Sequence, residues 1–269
     1  MSIASVWRVL RRLTSIELIA TFMYRTQFVV YMISTAVGVL IGLMIWLRLE
    51  ASGANLPVDR EFIVTYYLML AIVRVLTSTW HSEYLATIIR QGQLNSWLVR
   101  PGSYLLNLIA NNLAEKLVKV VAVSMLLFPA WYFYRDAFVL PQDLPHWLLF
   151  LTALILAAAV QFSLTTAIGS LGFWMDDNTG IARGRHVISM VLSGELVPLA
   201  LYPAWAMGFL DWQPFRFMLS YPLEVLLGTL SSQQLIYGFA MQLMWTVFFA
   251  WLCWFTWQRG LRSYSAIGA

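Results

Sequence analysis

Six long apolar stretches, separated by short polar segments, constrain the fold of this chain of 269 residues more than any other feature. Each stretch is about 20 residues or more, the length that an α-helix needs to cross roughly 30 Å of hydrocarbon. Hydrophobic residues make up 60% of the chain and charged residues 11%, whereas a soluble domain averages about 45–50% and about 25%. We therefore predict an all-α integral membrane protein whose residues 1–269 form a single domain with six transmembrane helices.

Amphipathic and interrupted segments accompany the spans. Residues 1–26 place apolar side chains at helical spacing beside arginines, which is typical of a helix lying at the membrane interface. Residues 208–234 are too apolar for a free loop and too interrupted for a span, so we expect short helices that enter the membrane from one face. The predicted spans are residues 28–47, 62–80, 105–134, 147–174, 187–207 (broken by Pro198 and Pro203) and 235–257, followed by a tail at 258–269.

The arginines near the span ends are distributed unevenly between the two sides of the predicted membrane domain. Ten lie on the side of the N-terminus and four on the other side. Because positive charge favours the cytoplasmic side, we predict cytoplasmic termini in a multi-pass protein of the cell membrane, inner or plasma. The basic excess suits contact with anionic membrane lipids, and its scattered placement argues against binding of nucleic acid.

The sequence lacks the motifs of a catalytic or metal centre. A phosphate-binding P-loop needs Gly-Lys-Ser/Thr, and neither lysine, Lys116 or Lys119, follows a glycine. The histidines lie too far apart for metal-ligand spacing, and the single cysteine, Cys253, permits no intrachain disulfide. We therefore predict no catalytic residue, metal or cofactor in this chain, so energy for any work must come from a partner or an ion gradient.

An amphipathic segment between predicted spans two and three is a candidate docking element. Apolar side chains recur at helical spacing over residues 84–98, with Arg90 among them. Gly92 permits a bend, and Arg100-Pro101 ends the helix. Such a helix can dock in a groove of a soluble partner, and a plain interfacial connector is the alternative.

Ionisable residues lie inside the predicted spans, where each costs about 2.5–3.5 kcal/mol at the helix centre. Arg74 lies about two-thirds along span two and Glu195 lies in span five, so the two could pair. They could line a substrate path or latch a gate; the alternatives are a structural ion pair or an Arg74 side chain that reaches the inner interface. Glu115 and Lys119, four residues apart, are expected to pair within one helix.

Two Tyr-Pro pairs flank the interrupted segment on the predicted outer side. Tyr202-Pro203 and Tyr221-Pro222 each combine a helix-ending proline with a tyrosine suited to an interface, and we interpret them as hinges of a gate. Glu224 follows the second pair and is a candidate gate residue. A carboxylate that simply faces the surface is the alternative.

Four segments spread over the chain form a recognisable series. They are the G-x-L-x-x-x-L-x-R-P segment formed by Gly92, Leu94, Leu98, Arg100 and Pro101, the end of the fifth apolar stretch at residues 198–203, residues 214–228, and the tail at residues 260–269. In their order and spacing, more than in any single match, these segments resemble the permease subunits of the type 2 ABC exporter family.

This resemblance implies a fold and a set of partners. It implies an N-terminal elbow helix, a cytoplasmic coupling helix between spans two and three, and short re-entrant extracytoplasmic helices between spans five and six. It also implies a dimer, of two copies or of this chain and a paralogous permease, on two ATP-binding subunits that hold ATP and Mg. Closure of those subunits would move the spans as rigid bodies. The implied coupling residues are Glu83, Ile88, Arg90, Gly92, Leu94, Leu98, Arg100 and Pro101.

The function that follows from the resemblance is export of a hydrophobic, amphiphilic or lipid-linked substrate, powered by separate ATPases. Import is one alternative. A secondary transporter or channel subunit is another, although that class would need more membrane carboxylates or inverted repeats. A membrane enzyme acting on lipid is a third, and it lacks clustered catalytic residues. The cargo stays open among a hydrophobic drug, a lipid, a peptide and a polysaccharide precursor.

Overall fold

The computed structural model describes residues 3–23, 25–54, 56–99 and 103–264. Across these ranges the backbone is predominantly helical and contains no strand, which confirms the all-α prediction. The α-helices are α1 (Ile3–Met23), α2 (Arg25–Ala51), α3 (Arg60–Thr77), α4 (Ser82–Arg90), α5 (Asn95–Leu98), α6 (Tyr104–Phe133), α7 (Leu144–Ser170), α8 (Thr179–Leu192), α9 (Ala204–Leu210), α10 (Ser220–Leu227) and α11 (Ser232–Ser263).

Four stretches of helix are long and apolar enough to cross a membrane. They coincide with predicted spans one, two, four and six, so the chain is a multi-pass membrane protein. The stretches are Met32–Ala51 in α2, Arg60–Arg90 over α3 and α4, Leu144–Phe173 over α7 and the turn that follows it, and Ser232–Ser263 in α11.

The helix that corresponds to predicted span three, α6, is 30 residues long. Residues 111–119 within it contain two asparagines and three charged side chains, so α6 is less apolar than the four stretches above. The helix predicted to lie at the interface, α1, packs along α6, and its Glu17 accepts a hydrogen bond from Asn111 Nδ2 at 2.8 Å. One polar group of α6 therefore has its partner in α1, and the six-span count stays a prediction.

The predicted fifth span, residues 187–207, is not one helix. Helix α8 ends at Leu192, and residues 193–198, hereafter the break, are not helical. A 3₁₀ turn at residues 199–201 and helix α9 follow. The chain leaves the helix at Gly194, whose φ of +85° lies in the left-handed region that favours glycine. The interruption therefore begins before Pro198, the proline to which the sequence analysis assigned it.

The segment after the break forms the short helices expected of residues 208–234. The end of α9, a 3₁₀ turn at Arg216–Met218 and α10 follow one another, and most side chains from Phe217 to Leu226 are buried. Helix α10 packs on α3 and α7 and ends at Gly228, whose φ is +66°. This irregular backbone is packed against protein, and its depth in the membrane stays a prediction.

Helix α3 runs through the centre of the bundle. Its residues 63–71 are all buried, and α2, α6, α7 and α10 pack around it. Helix α2 approaches closely at Gly42, where an added Cβ would lie 2.6 Å from the Tyr67 ring. At one end of the bundle, hereafter the α4 end, α4 packs on the end of α7. At the opposite end, hereafter the cavity end, the starts of α3 and α11 lie beside α10 around a cavity.

Candidate functional site

The carbonyl oxygens at the end of α8 and in the break are hydrogen-bonded to side chains of other segments. A helix end leaves its last carbonyls without intrahelical partners, and an irregular backbone in an apolar environment must satisfy them within the protein. Three tyrosines and one glutamine do so here. The pairs, donor first, are Tyr202 OH to Val191 O (2.8 Å), Gln213 Nε2 to Leu192 O (2.9 Å), Tyr66 OH to Gly194 O (2.8 Å) and Tyr67 OH to Leu196 O (3.1 Å).

An ion pair joins α3 to the break. Arg74 Nη1 lies 2.9 Å from Glu195 Oε1, and the two side chains are 22% and 12% exposed. The expectation that they could pair is therefore correct. Glu195 lies in the break rather than in a helix, so the pair holds non-helical backbone against α3. Within α6, Lys119 Nζ pairs with Glu115 as expected.

Polar atoms without partners surround the Arg74–Glu195 pair. Nε and Nη1 of Arg185, Oε1 of Gln161 and Oγ of Ser193 are buried and accept or donate no hydrogen bond within the described part of the chain. They belong to residues that line a small cavity of about 40 Å³ together with Arg74 and Glu195. A polar cavity of that size is large enough for at least one water molecule. The ion pair therefore sits beside a polar pocket.

A larger cavity, about 520 Å³, opens at the cavity end. Its walls come from the start of α3 and the residues before it, the 3₁₀ turn after the break, α9, α10 and the start of α11. Apolar side chains form much of the wall, and carboxylates and aromatic rings interrupt them. The charged and aromatic wall residues are Asp59, Glu61, Phe62, Tyr66, Arg216 and Glu224.

Glu224 belongs to an ionic network on one wall of this cavity. Its Oε2 lies 2.6 Å from Arg216 Nη2, and its Oε1 accepts a hydrogen bond from Ser220 Oγ at 2.7 Å. Arg216 also pairs with Asp211. The side chains of Arg216 and Glu224 are only 11% and 13% exposed, so the alternative of a carboxylate facing the surface is wrong.

The two Tyr-Pro pairs occupy different environments. Tyr221 is fully buried, and its hydroxyl donates a hydrogen bond to the Leu235 carbonyl at 2.8 Å. Pro222 is buried in the first turn of α10, where proline does not interrupt a helix, so it does not end a helix as the sequence analysis expected. Tyr202 and Pro203 join the 3₁₀ turn after the break to α9, and their role as a hinge stays a prediction.

The predicted coupling segment consists of two short helices, α4 and α5, joined by a turn. Gly92 lies in that turn with a φ of +73°, which confirms the expected bend. Ile88 and Leu94 are 7% and 0% exposed because they pack into an apolar cluster with α6 and α11. Their side chains face this chain, so the expectation that they contact a partner is wrong.

The other predicted coupling residues have different placements. Glu83 and Leu98 are exposed, Leu98 by 50%. Arg90 is partly buried, and its Nη1 donates a hydrogen bond to the backbone carbonyl of Asp176, in the connection between α7 and α8. Arg100 and Pro101 lie outside the described residues.

Helix α4 is fixed to the connection between α7 and α8. Gly172 allows close approach there, since an added Cβ would lie 2.7 Å from Ala86 Cα. Asn178, buried at the start of α8, donates hydrogen bonds from Nδ2 to the Ile168 carbonyl at 3.1 Å and the Ser82 carbonyl at 3.4 Å. We call α4 and the α7–α8 connection the α4 unit, because these contacts join them into one body.

Two carboxylates in connections between helices have a lowered pKa. The Asp177 carboxylate accepts hydrogen bonds from the Thr179 hydroxyl and from Thr179 N, which hold its pKa below the ordinary value. A hydrogen bond from His146 lowers the pKa of Asp143 in the same way. Both carboxylates therefore stay ionised to lower pH than free ones. In the ranges that the structure describes, no group of three His, Cys, Asp or Glu residues could hold a metal ion.

Tyr66, Tyr67, Gln213 and Gln242 were not singled out by the sequence analysis. Gln242 is fully buried, and its Nε2 donates to two backbone carbonyls of neighbouring segments, each at 2.9 Å. The available signal was a hydrogen-bonding side chain within or beside an apolar stretch, because burial without a partner is costly. The sequence does not say which distant carbonyl such a side chain will meet.

Comparison with known proteins gives a family match. A family model described as "ABC-2 family transporter protein" matches residues 59–268, most of the chain. The match covers helices α3 to α11, and therefore the break, the α4 unit, the smaller cavity and all of the larger cavity except Pro57 and Val58. Curated proteins and solved structures give no significant match.

Proposed function

The chain belongs to the ABC-2 family of transporter proteins and is a permease of that type, and from this premise we propose that it exports a hydrophobic, amphiphilic or lipid-linked substrate. In this proposal it crosses the cell membrane six times with both termini in the cytoplasm. It works as a dimer, of two copies or with a paralogous permease, on two ATP-binding subunits. Those subunits hold ATP and Mg, and this chain forms the substrate path.

The observation that carries this proposal is the attachment of α4 to the α7–α8 connection. Gly172, Asn178 and Arg90 all contribute contacts to this attachment. A displacement of α4 by a soluble partner would therefore move the ends of α7 and α8 as a rigid body rather than deform a free loop. Because α8 ends at the break, the displacement would reach the Arg74–Glu195 pair.

The surface open to a partner is the outer side of α4 and α5. Tyr84 and Leu98 are 60% and 50% exposed and offer apolar contact area, with the exposed Glu83 beside Tyr84. Side chains of this kind suit a helix that docks in a groove of a soluble protein. Ile88 and Leu94, in contrast, pack against α6 and α11 and hold the segment on the rest of the chain. This division of roles supports docking through the exposed side chains.

Helix α6 and the broken fifth segment supply the two remaining crossings in this proposal. At 30 residues, α6 is about 45 Å long, more than the roughly 30 Å of hydrocarbon, so Asn111 and Asn112 near its start can lie at an interface. Deeper in the helix, Glu115 and Lys119 pair with each other. The fifth segment crosses as α8, the break and α9 in succession. The hydrogen-bonded carbonyls of the break support this crossing, because they leave its backbone compatible with membrane depth.

Ion pairing argues against a secondary transporter driven by protons. Such a transporter needs ionisable groups in the membrane that can change charge along the path. Glu195 pairs with Arg74, and Glu115 pairs with Lys119. Both carboxylates are thus neutralised within the chain, which supports a permease that takes its energy from partner subunits.

Cysteine labelling tests the proposed orientation. The only cysteine, Cys253, is buried, and replacing it with serine gives a background without thiols. In that background we expect Gln91→Cys, in the turn after α4, to react with a membrane-impermeant maleimide only when the cytoplasmic face is open. Asp136→Cys, whose parent side chain is 97% exposed, should react on intact cells. Labelling of Gln91→Cys on intact cells would contradict the orientation.

Reconstitution tests the energy source. The chain is placed in liposomes with an ATP-binding subunit of the ABC type that co-purifies with it, and efflux of an amphiphilic dye is followed with ATP. We expect efflux to need both the ATPase and ATP and to survive dissipation of the proton gradient. Efflux by this chain alone, driven by a proton gradient, would contradict the proposal and favour a secondary transporter.

A further inference from the structure

We propose that the cavity of about 520 Å³ at the cavity end binds a cationic amphiphile, with its positive group at Glu61 and its apolar body against the cavity wall. This inference rests on the proposed function and deepens it, because it names the chemical class of the cargo. Three features of the cavity carry it: size, charge and aromatic surface.

The size and the apolar wall suit a small organic molecule. Sites for such ligands measure about 300–1,000 Å³ and are lined mainly by apolar side chains, and this cavity falls within that range. Val58, Val139, Met207 and Leu227 come from four different segments and give the wall an apolar surface on several sides. The apolar body of a ligand can therefore bury its surface against this wall when the ligand enters the cavity.

The charge of the wall favours a cation. Three carboxylates line the cavity, those of Asp59, Glu61 and Glu224, against one guanidinium, that of Arg216, which gives a net formal charge of −2. Nη1 and Nη2 of the guanidinium are paired with Asp211 and Glu224, so its charge is compensated within the chain, although Nε has no hydrogen-bond partner among the described residues. An anionic ligand would meet the uncompensated carboxylates, and a cation is attracted to them.

Glu61 is the carboxylate best placed to meet a ligand. The Asp59 carboxylate already accepts a hydrogen bond from Phe62 N at 2.8 Å as the N-cap of α3. Glu224 uses both oxygens, on Arg216 and on Ser220. Glu61 is exposed at the rim and forms no ion pair with any residue that the structure describes.

An aromatic surface lies next to Glu61. Phe62 and Tyr66, one turn apart on α3, stack with ring centroids 5.5 Å apart and an interplanar angle of 22°, and both line the cavity. The face of an aromatic ring attracts an organic cation, and its area also covers an apolar body. A carboxylate beside stacked rings in an apolar cavity thus matches a ligand that is both positively charged and hydrophobic.

Two ions of the same shape and opposite charge test this inference. The full chain is purified into lipid nanodiscs, and equilibrium binding of tetraphenylphosphonium and tetraphenylborate is measured, with empty nanodiscs subtracted. We expect saturable binding of the phosphonium and at least about tenfold weaker binding of the borate. Because the cavity is open to water at Glu61, Glu61→Gln should weaken phosphonium binding about threefold to tenfold, and Glu61→Lys should weaken it further.

The matched control is Glu50→Gln, which removes a carboxylate at the end of α2, outside the cavity wall. It should leave phosphonium binding unchanged, and matched melting temperatures show that all variants are folded. Equal binding of the two ions, or unchanged phosphonium binding in Glu61→Lys, would overturn the cavity assignment.

The same preparations separate this inference from the proposed function. If the phosphonium does not bind while the complex with its ATPase still exports a neutral amphiphile, the cavity assignment fails and the permease function stands. If the phosphonium binds as expected but the chain recruits no ATPase, the proposed function fails and the cavity assignment stands.

Discussion

Arg74 Nη1 lies 2.9 Å from Glu195 Oε1, so a residue of the central helix is paired with a residue of the non-helical backbone after α8. The two side chains are 22% and 12% exposed, which leaves either charge poorly solvated if the other is removed. Breaking a buried ion pair costs about 3–5 kcal/mol, and partial access to water lowers that cost. The pair therefore fixes the position of the break relative to α3.

Glu195→Gln should lower the free energy of unfolding by about 1–2 kcal/mol, because it leaves the Arg74 charge without its partner. The double variant Arg74→Gln, Glu195→Gln should recover part of that loss, since both charges are gone. Unfolding in detergent, followed by denaturant titration, measures the coupling. Arg48→Gln, at an exposed position at the end of α2, is the control. Strictly additive losses would show that the pair contributes nothing.

The same variants address the role of the pair in transport. If Glu195 lines the substrate path, Glu195→Gln should change ATP-driven efflux by more than its loss of stability explains. Unchanged efflux with lowered stability would assign the pair to structure alone.

Removal of the Tyr66 hydroxyl tests the hydrogen bonds of the break. Tyr66→Phe should destabilise the protein by about 1–3 kcal/mol, because the buried Gly194 carbonyl loses its donor. Tyr67→Phe should cost less, since its bond to the Leu196 carbonyl is longer and only partly buried. Thermal unfolding ranks the two variants against Tyr132→Phe, whose side chain is 56% exposed. A cost for Tyr66→Phe equal to that of the control would show that water satisfies this carbonyl.

Local signals predicted much of this fold. Apolar stretches of about 20 residues located α2, α3, α7 and α11. The interrupted apolar segment at residues 208–234 indicated short helices, of which α10 is one, whereas most of α9 lies in the predicted fifth span. The fifth span was the exception. The apolar stretch continues past Gly194, whereas the backbone turns there. Tyrosines and a glutamine from other segments donate hydrogen bonds to the carbonyl oxygens around this turn. Such long-range hydrogen bonds leave no pattern in the sequence.

Gly172→Ala should loosen the α4 unit. Its new Cβ would lie 2.7 Å from Ala86 Cα, which is backbone and cannot move aside without shifting α4. We expect a loss of about 1–3 kcal/mol in the free energy of unfolding and weaker stimulation of ATP hydrolysis by substrate. Gly180→Ala, where nothing lies within 4 Å of an added Cβ, is the matched control. Full coupling in Gly172→Ala would show that α4 need not be fixed to α7.

Gly92 should tolerate substitutions in a fixed order. Its φ of +73° is readily adopted by glycine and can be adopted by asparagine. The same φ would strain alanine by about 1–2 kcal/mol, and proline, whose ring fixes φ at about −65°, cannot adopt it. Coupled ATP hydrolysis should therefore fall in the order Asn, Ala, Pro, and Gly92→Pro should uncouple hydrolysis from transport. No side chain crowds this site, since the nearest atom to an added Cβ is Asn95 Nδ2 at 3.8 Å. Equal coupling in all three variants would show that the bend is dispensable.

The candidate site was predicted less completely than the fold. Arg74 and Glu195 were identified by their positions inside apolar stretches, where charged residues are rare. The coupling segment was located by its amphipathic spacing, but spacing identifies the apolar face without saying what covers it. Ile88 and Leu94 face the chain's own α6 and α11, and this could be learned only from the packing. Arg100 lies outside the described residues, so the expectation that Arg100→Ala uncouples ATP hydrolysis from transport still rests on the sequence alone.

Leu98 and Leu94 separate docking from packing within one short segment. Leu98 is 50% exposed and Leu94 is fully buried, so the same residue type has two different surroundings four positions apart. Leu98→Asp should leave the melting temperature unchanged and weaken recruitment of the ATPase about tenfold or more, as expected of a contact at the centre of an interface. Leu94→Ala should instead cost about 2–5 kcal/mol of stability through the cavity that it leaves. Co-purification and thermal unfolding measure both variants, and normal recruitment by folded Leu98→Asp would place the docking surface elsewhere.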